Sequence, residues 1–333
     1  MPYPRPRRRQ ILACAAWLAA TGGCRQSSPP NSGFKMGLCL ADGNSEFDQV
    51  VRNAVETFAR EKGVELVVRD AHRRVSEQTL AMQEAIQQGL SVLLVVPVDS
   101  AQLTDLIKKA EAQKSYVVLL GEGSEDQNAA ALIRCNPVLT GRLCAEYLAS
   151  RLPNGGDVIA VAAQARGPEW FRSLQEAAGQ VGPSLRIRVV ARGDTEVRRL
   201  VDAALAAHPG ARAVVAADDA LTLAAARAVQ GKRDAPFVIG HGGGAAAVAE
   251  LQRAGSPLAM LLGTFPQRVG LAGARQAWRI VSNAPATPRM DLPVLPVVRE
   301  TAARFPGWKG RAPKDTDLTI PWKSNLKLET ERD

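Results

Sequence analysis

A chain of 333 residues with 46% hydrophobic and 23% charged residues carries enough apolar material for two ordinary domains, which excludes a disordered or fibrous chain. The formal net charge of +9 raises nucleic acid as a partner. Four of those charges lie before residue 10, and the other basic residues are scattered with no aromatic-interleaved stripe, so no nucleic-acid partner is expected.

Residues 1–23 place Arg5, Arg7, Arg8 and Arg9 before a short apolar run from Ile11 to Ala20. The run falls short of the roughly 20 residues that span a bilayer. Basic, apolar and small-residue segments in this order make a secretory leader. Thr21-Gly22-Gly23-Cys24 resembles a bacterial lipobox, with Thr21 where leucine is usual, so Cys24 is the expected lipid-bearing N-terminus. Arg8-Arg9-Gln10-Ile11-Leu12 also resembles a twin-arginine signal, leaving both export routes open. Residues 24–35 read as a Ser- and Pro-rich tether. Beyond the leader remain Cys39, Cys135 and Cys144, without metal-ligand spacing. Free buried thiols are expected, with a 135–144 bridge as the alternative.

From Phe34 to about Ile280 the chain alternates short apolar runs with helical patterns. KMGLCLA, VELVVRD, SVLLVVPV, YVVLLG, AALIRC, DVIAVAA, LRIRVVA, ARAVVAA, PFVIG and PLAMLLG read as strands. Several are apolar on both faces, as buried parallel strands require. EFDQVVRNAVETFAREKG predicts a helix with Phe47, Val50, Val51, Ala54, Val55 and Phe58 on one stripe, Ser45 as its cap and Gly63 as its stop. In DSAQLTDLIKKAEAQK, Asp99 or Ser100 caps, and Leu103, Leu106, Ile107 and Ala110 pack. Strands alternating with helices imply right-handed crossovers and sheets covered on both faces. Some ten strands predict two doubly wound α/β domains, with ligands beyond the carboxyl ends of the strands.

The loops after those strands do not fit an enzyme. Gly121-Glu122-Gly123 opens like a dinucleotide loop, but Asp126 stands where a third small residue belongs, and an acidic loop repels phosphate. His241-Gly242-Gly243-Gly244 resembles an oxyanion loop, yet no Gly-x-Ser-x-Gly elbow occurs. His72, His208 and His241 are too dispersed to predict a metal site. No catalytic residue, metal or cofactor is expected.

LVVPVDSAQLTDLIKKAEAQKSYVVLL, TGRLCAEYLASRL, AVVAADDALTLAAARAV and FVIGHGGGAAAVAELQRAGSPLAMLLGTFPQRVG resemble, in order and spacing, the type I periplasmic sugar-binding proteins. The resemblance covers roughly 36–298. It implies two doubly wound parallel-sheet lobes joined by three crossovers, near 133–137, 263–266 and 290–294. The lobes would be 36–133 plus 266–289 and 137–262 plus 293–298, followed by a tail, 299–333, that Trp308 and Trp322 could pin to the body.

The same resemblance implies a ligand cleft between the lobes with altered lining. The family's Asn-Pro-Phe-Phe is Asn44-Ser45-Glu46-Phe47 here, and its Asp-Arg is Gly121-Glu122. Its Ala-Asn-Asp-Asp is Ala217-Asp218-Asp219-Ala220, its Gly-Phe-Asp-Gly is Gly240-His241-Gly242-Gly243, and its Gln-Asp-Pro-Tyr is Thr264-Phe265-Pro266-Gln267. The family's arginine near ARGPEWFRSL has no match beyond Arg166. The expected lining is Asp42, Glu122 and Asp218 as acids, Asn44, Asn136, His241 and Thr264 as neutral polar groups, and Phe47, Trp170 and Phe265 as aromatics. Each also has a structural reading: Phe47 and Phe265 as core, Asp218 as a helix cap, Trp170 as an exposed helix face. The implied role is a monomeric, lipid-anchored, extracytoplasmic solute-binding protein that docks on ABC-importer membrane subunits, with a carbohydrate-like ligand. The alternatives are a cationic or aromatic ligand, a lipoprotein that senses a ligand for a membrane kinase or chemoreceptor, a small-molecule hydrolase, and a scaffold without a small ligand.

Overall fold

The computed structural model describes residues 35–123, 128–163, 168–182, 184–191 and 197–308. The leader, Cys24, the tether up to residue 34, Asp126, Arg166 and Trp322 lie outside the described residues.

Local chemistry sets the element ends. In α1 (Glu46–Lys62) the Ser45 hydroxyl accepts from the Asp48 N–H at 3.1 Å, and Gly63 ends the helix in the left-handed region at φ 64°. Val51, Val55 and Phe58 form its buried stripe. Asp99 caps a 3-10 turn, Ser100–Leu103, that runs into α3 (Thr104–Ala112), where Leu106, Ile107 and Ala110 are buried. All ten expected strands are present.

The first sheet contains β1 (Lys35–Leu40), β2 (Glu65–Asp70), β3 (Val92–Val95), β4 (Tyr116–Gly121), β5 (Ala131–Cys135) and β11 (Arg289–Leu292), in the order β11-β5-β4-β3-β1-β2. All its pairings are parallel. The second contains β6 (Gly156–Ala162), β7 (Leu185–Ala191), β8 (Ala213–Ala216), β9 (Phe237–Gly242), β10 (Leu258–Gly263) and β12 (Leu295–Val298), in the order β12-β10-β9-β8-β6-β7. Its pairings are parallel except that β12 runs antiparallel to β10. Both halves therefore repeat one winding, second strand, first, third, fourth, fifth, with a late strand added at the far edge. β11 is the strand that the sequence pattern did not suggest, because Arg-Met-Asp-Leu has no apolar run. It occupies residues where the last crossover was expected.

Helices α1, α2 (Val75–Gln87), α3 and α9 (Pro266–Val281) cover the first sheet, with separate apolar cores on its two faces. The second sheet is covered by α4 (Pro137–Arg151), α5 (Glu169–Val181), α6 (Val197–Ala207), α7 (Asp219–Val229) and α8 (Ala245–Gln252), around one continuous core. The chain crosses between halves at β5 to α4, at β10 to α9 and at β11 to β12. Cys39, Cys135 and Cys144 are free thiols, and burial pushes Cys39 up to about 11 and Cys135 up to about 12.

The α4–α5 crossing depends on Gly141, where a Cβ would lie 2.5 Å from the Leu174 nitrogen. Backbone cannot yield as a side-chain tip can. Gly141→Ala is expected to lower stability by about 1–3 kcal/mol, measured by urea unfolding. A variant as stable as the parent would show that the two helices are not in this contact.

Candidate functional site

Because every strand but β12 is parallel to its neighbours, the strand ends of each half gather on one side, and the two sets of loops meet across a cleft. The loop after β1 brings Asp42 and Asn44, and α1 begins beyond it with Glu46 and Phe47. The Asp42 carboxylate accepts the Asn44 backbone N–H at 3.0 Å, while the Asn44 side chain is exposed. The Asp42 N–H donates to buried Asp48 at 2.8 Å, and burial pushes Asp48 up to about 6. Phe47 lies over the end of β4, where a Cβ on Gly121 would sit 3.2 Å from its ring. Glu122 follows. Burial, with the charges of Asp218 and Asp99 behind it, raises Glu122 from 4.5 to about 7.

From the other half, Asp218 caps α7, accepting the Leu221 N–H at 2.8 Å. Burial raises its pKa, and the charge of Arg73 opposes the rise. His241, on β9, stacks at 5.3 Å on Trp170. Its Nε2 is buried without a hydrogen-bond partner, and burial pushes the imidazole down to about 4, with the Ala217 backbone partly offsetting. The ring is therefore neutral at ordinary pH. Thr264, just after β10, is buried, and its hydroxyl donates to the Gly242 carbonyl at 3.3 Å.

The expected lining thus divides. Phe47, Glu122, Asp218, His241 and Thr264 come together where the halves meet, and Asp42 joins them through Arg73, whose Nη1 lies 3.7 Å from its carboxylate. Asn136 is the cap of α4, its amide oxygen accepting the Leu139 N–H at 2.9 Å. Phe265 is core, packed on Phe305 at 6.0 Å. Trp170 is also core rather than an exposed helix face, at 5% exposure, with its ring against His241.

Several residues escaped the sequence reading. Arg73 sits in the loop after β2, where His72 and Arg73 both hold positive φ, 48° and 62°. Such strain in non-glycine residues is found at functional loops. Its only local signal was its place after a strand end. Asp219 accepts the N–H groups of Gly243 and Gly244, at 3.1 and 2.6 Å, and burial pushes it up to about 6. Glu46 reaches across the cleft to the Ala245 N–H at 3.0 Å. Arg134 is 4% exposed and donates to Asp291 at 3.0 Å, to the Gly123 carbonyl at 3.0 Å and to Glu169 of the other half. Among the described residues, no group of three His, Cys, Asp or Glu side chains is placed to hold a metal.

Two like-wound α/β lobes joined by three crossovers, with polar loops opposed across a cleft, define a two-lobed small-molecule-binding protein of the type I periplasmic binding kind. The family model described as "Periplasmic binding protein domain" matches residues 36–285, and the chain belongs to that family. The chain is 26% identical to the Bacillus subtilis ribose import binding protein RbsB over 242 residues, covering 68% of this chain and 76% of that protein. It is 24% identical to the Escherichia coli protein of the same name over 273 residues, 79% and 90% of the two chains. An ABC transporter solute-binding protein from Mycobacterium smegmatis, solved with bound glycerol, superposes with a TM-score of 0.73 at 23% identity, covering 84% of this chain and 99% of that one. One from Bacillus halodurans with bound myo-inositol gives 0.69 at 20%, covering 83% and 98%.

Two predictions follow from the electrostatics. Between about pH 4.5 and 7 folded Glu122 keeps a proton that the unfolded chain has lost, so its contribution to stability falls as pH rises through that window. Glu122→Gln is expected to be more stable than the parent above about pH 7 and indistinguishable below about 4.5 in urea melts; parallel curves at all pH would refute the raised pKa. Arg134→Met removes the guanidinium shared by Glu169 and Asp291, which keep Arg172 and Arg289 as partners, and is expected to lose about 2 kcal/mol, against little change if the ion network is idle.

Proposed function

We propose that this chain is the extracytoplasmic solute-binding lipoprotein of an ABC-type importer, taking a small sugar or polyol between its lobes and presenting it to the membrane subunits. It binds rather than transforms. The observation that carries the reading is the convergence of Phe47, Glu122, Asp218, His241 and Thr264 from both lobes on one cleft. Aromatic faces with carboxylates and neutral hydroxyl or imidazole groups suit a polyhydroxylated ring. The relatives' names, ribose import binding proteins, and the neighbours' bound glycerol and myo-inositol support the same class.

In this reading residues 1–23 are removed, Cys24 carries the lipid and residues 24–35 tether a monomer to the membrane. The expected lobe of 36–133 with 266–289 extends through β5 and β11 to Cys135 and Leu292, the expected lobe of 137–262 with 293–298 ends at β10 and β12, and 299–333 is the tail. A single acyl chain anchors only marginally, so stable attachment would need more than one. The mutual repulsion of Glu122 and Asp218 where the lobes meet would be relieved by a cation, which favours a second ligand class, amines and amino sugars.

The test is thermal unfolding of the protein with glycerol, xylitol, myo-inositol, D-ribose, glucosamine and putrescine in turn. A ligand at a hundred times its dissociation constant adds about 2.7 kcal/mol, so a sugar or polyol that binds raises the midpoint clearly. A shift with glucosamine or putrescine alone would replace the neutral-polyol reading by the amine one. A folded protein that no compound shifts would sink both.

A further inference from the structure

The segment after β12 completes neither sheet, yet it is firmly packed. A short 3-10 turn, Ala302–Arg304, leads Phe305 and Trp308 back onto the loop after β9. Both rings are buried, at 6% and 9% exposure. A Cβ on Gly243 would lie 2.7 Å from the Phe305 ring, and one on Gly244 would lie 3.1 Å from the Trp308 ring. The run Gly242-Gly243-Gly244 is therefore a seat for two aromatic rings, held in shape by the Asp219 carboxylate beneath its N–H groups.

From this seat Trp308 touches both lobes. Its Nε1–H donates to the Thr264 hydroxyl at 3.1 Å, and its indole meets Phe47 of the other lobe edge-on, with centroids 5.6 Å apart at 77°. Beside it Glu46 accepts the Ala245 N–H, a second contact between the lobes. The Thr264 hydroxyl donates to Gly242 and accepts from Trp308, and Asp219 is committed to the loop. The polar groups at this end of the cleft are satisfied by the chain itself.

We propose that Trp308 is a tethered occupant of the cleft: it holds the lobes together without solute, and a polar ring reaches the Thr264 end only by displacing it. The inference rests on the reading of the cleft as a solute site. An occupant seated nine-tenths of the time lowers apparent affinity about tenfold, so the strap sets both how tightly and how large a solute binds.

The experiment compares the parent chain with Trp308→Ala and Trp308→Phe. Titration calorimetry with myo-inositol and D-ribose measures binding, and small-angle scattering without solute measures the separation of the lobes. The expected result is a larger radius of gyration for Trp308→Ala and binding tighter by about tenfold, with Trp308→Phe between the two because it keeps the Phe47 contact and loses the Thr264 bond. Equal or weaker binding by Trp308→Ala overturns the proposal, and so does an unchanged radius. Should no variant bind either probe, the solute reading fails, while an opening confined to the variants still supports the strap as an interlobe latch. If the alanine variant does not fold, the same measurements on Trp308→Phe decide, with the same directions.

Discussion

A parallel strand cannot turn straight back to its neighbour. It must return through a helix on one face of the sheet, so every strand of a parallel sheet delivers its carboxyl end to the same edge. In this molecule that constraint acts twice, with one strand order repeated in each lobe. It leaves β3 and β8 buried throughout, and it forces the polar residues of the chain out to the strand ends. The cleft is where those ends meet. Its chemistry is concentrated because the sheet faces have no room for any.

What crosses the cleft is of two kinds. Arg134, held by Asp291 in its own lobe, donates to Glu169 of the other, an ion network completed by Arg289 on Asp291 and Arg172 on Glu169. Trp308 and Phe47 instead meet through ring edges, with a single N–H bond to Thr264. The first contact is strongly directional and lies beside a crossover strand. The second is softer and sits on glycines, which allow aromatic rings to come within contact of backbone. Burial raises the pKa of Asp48, Glu122 and Asp219, the acids on the loops of these same strand ends.

The elements were largely legible because buried parallel strands are apolar runs and their helices carry one apolar stripe. β11 was not, since its pairing with β5 rather than its composition makes it a strand. The site was legible in part. Glu122, Asp218 and Phe47 were expected from the resemblance to the family's motifs at strand ends, and the structure brings them together where the lobes meet. Asn136 and Phe265 stand at strand ends too, but there a helix N-terminus took the amide and Phe305 took the ring. Arg73 was missed because its reach to Asp42 depends on two successive residues of positive φ, which no pattern of residue types announces.

Sequence by itself determined the two-lobed α/β architecture and the positions of most loops at the strand ends, because apolar periodicity, caps and strand length are local properties. Tertiary structure alone decided which polar groups meet. It placed Asp219 under the glycine loop and Arg134 between two carboxylates, and it brought Trp308, far along the chain, against Phe47. Those contacts join residues separated by tens to hundreds of positions, and their energies come from burial and alignment that exist only once the sheets have formed.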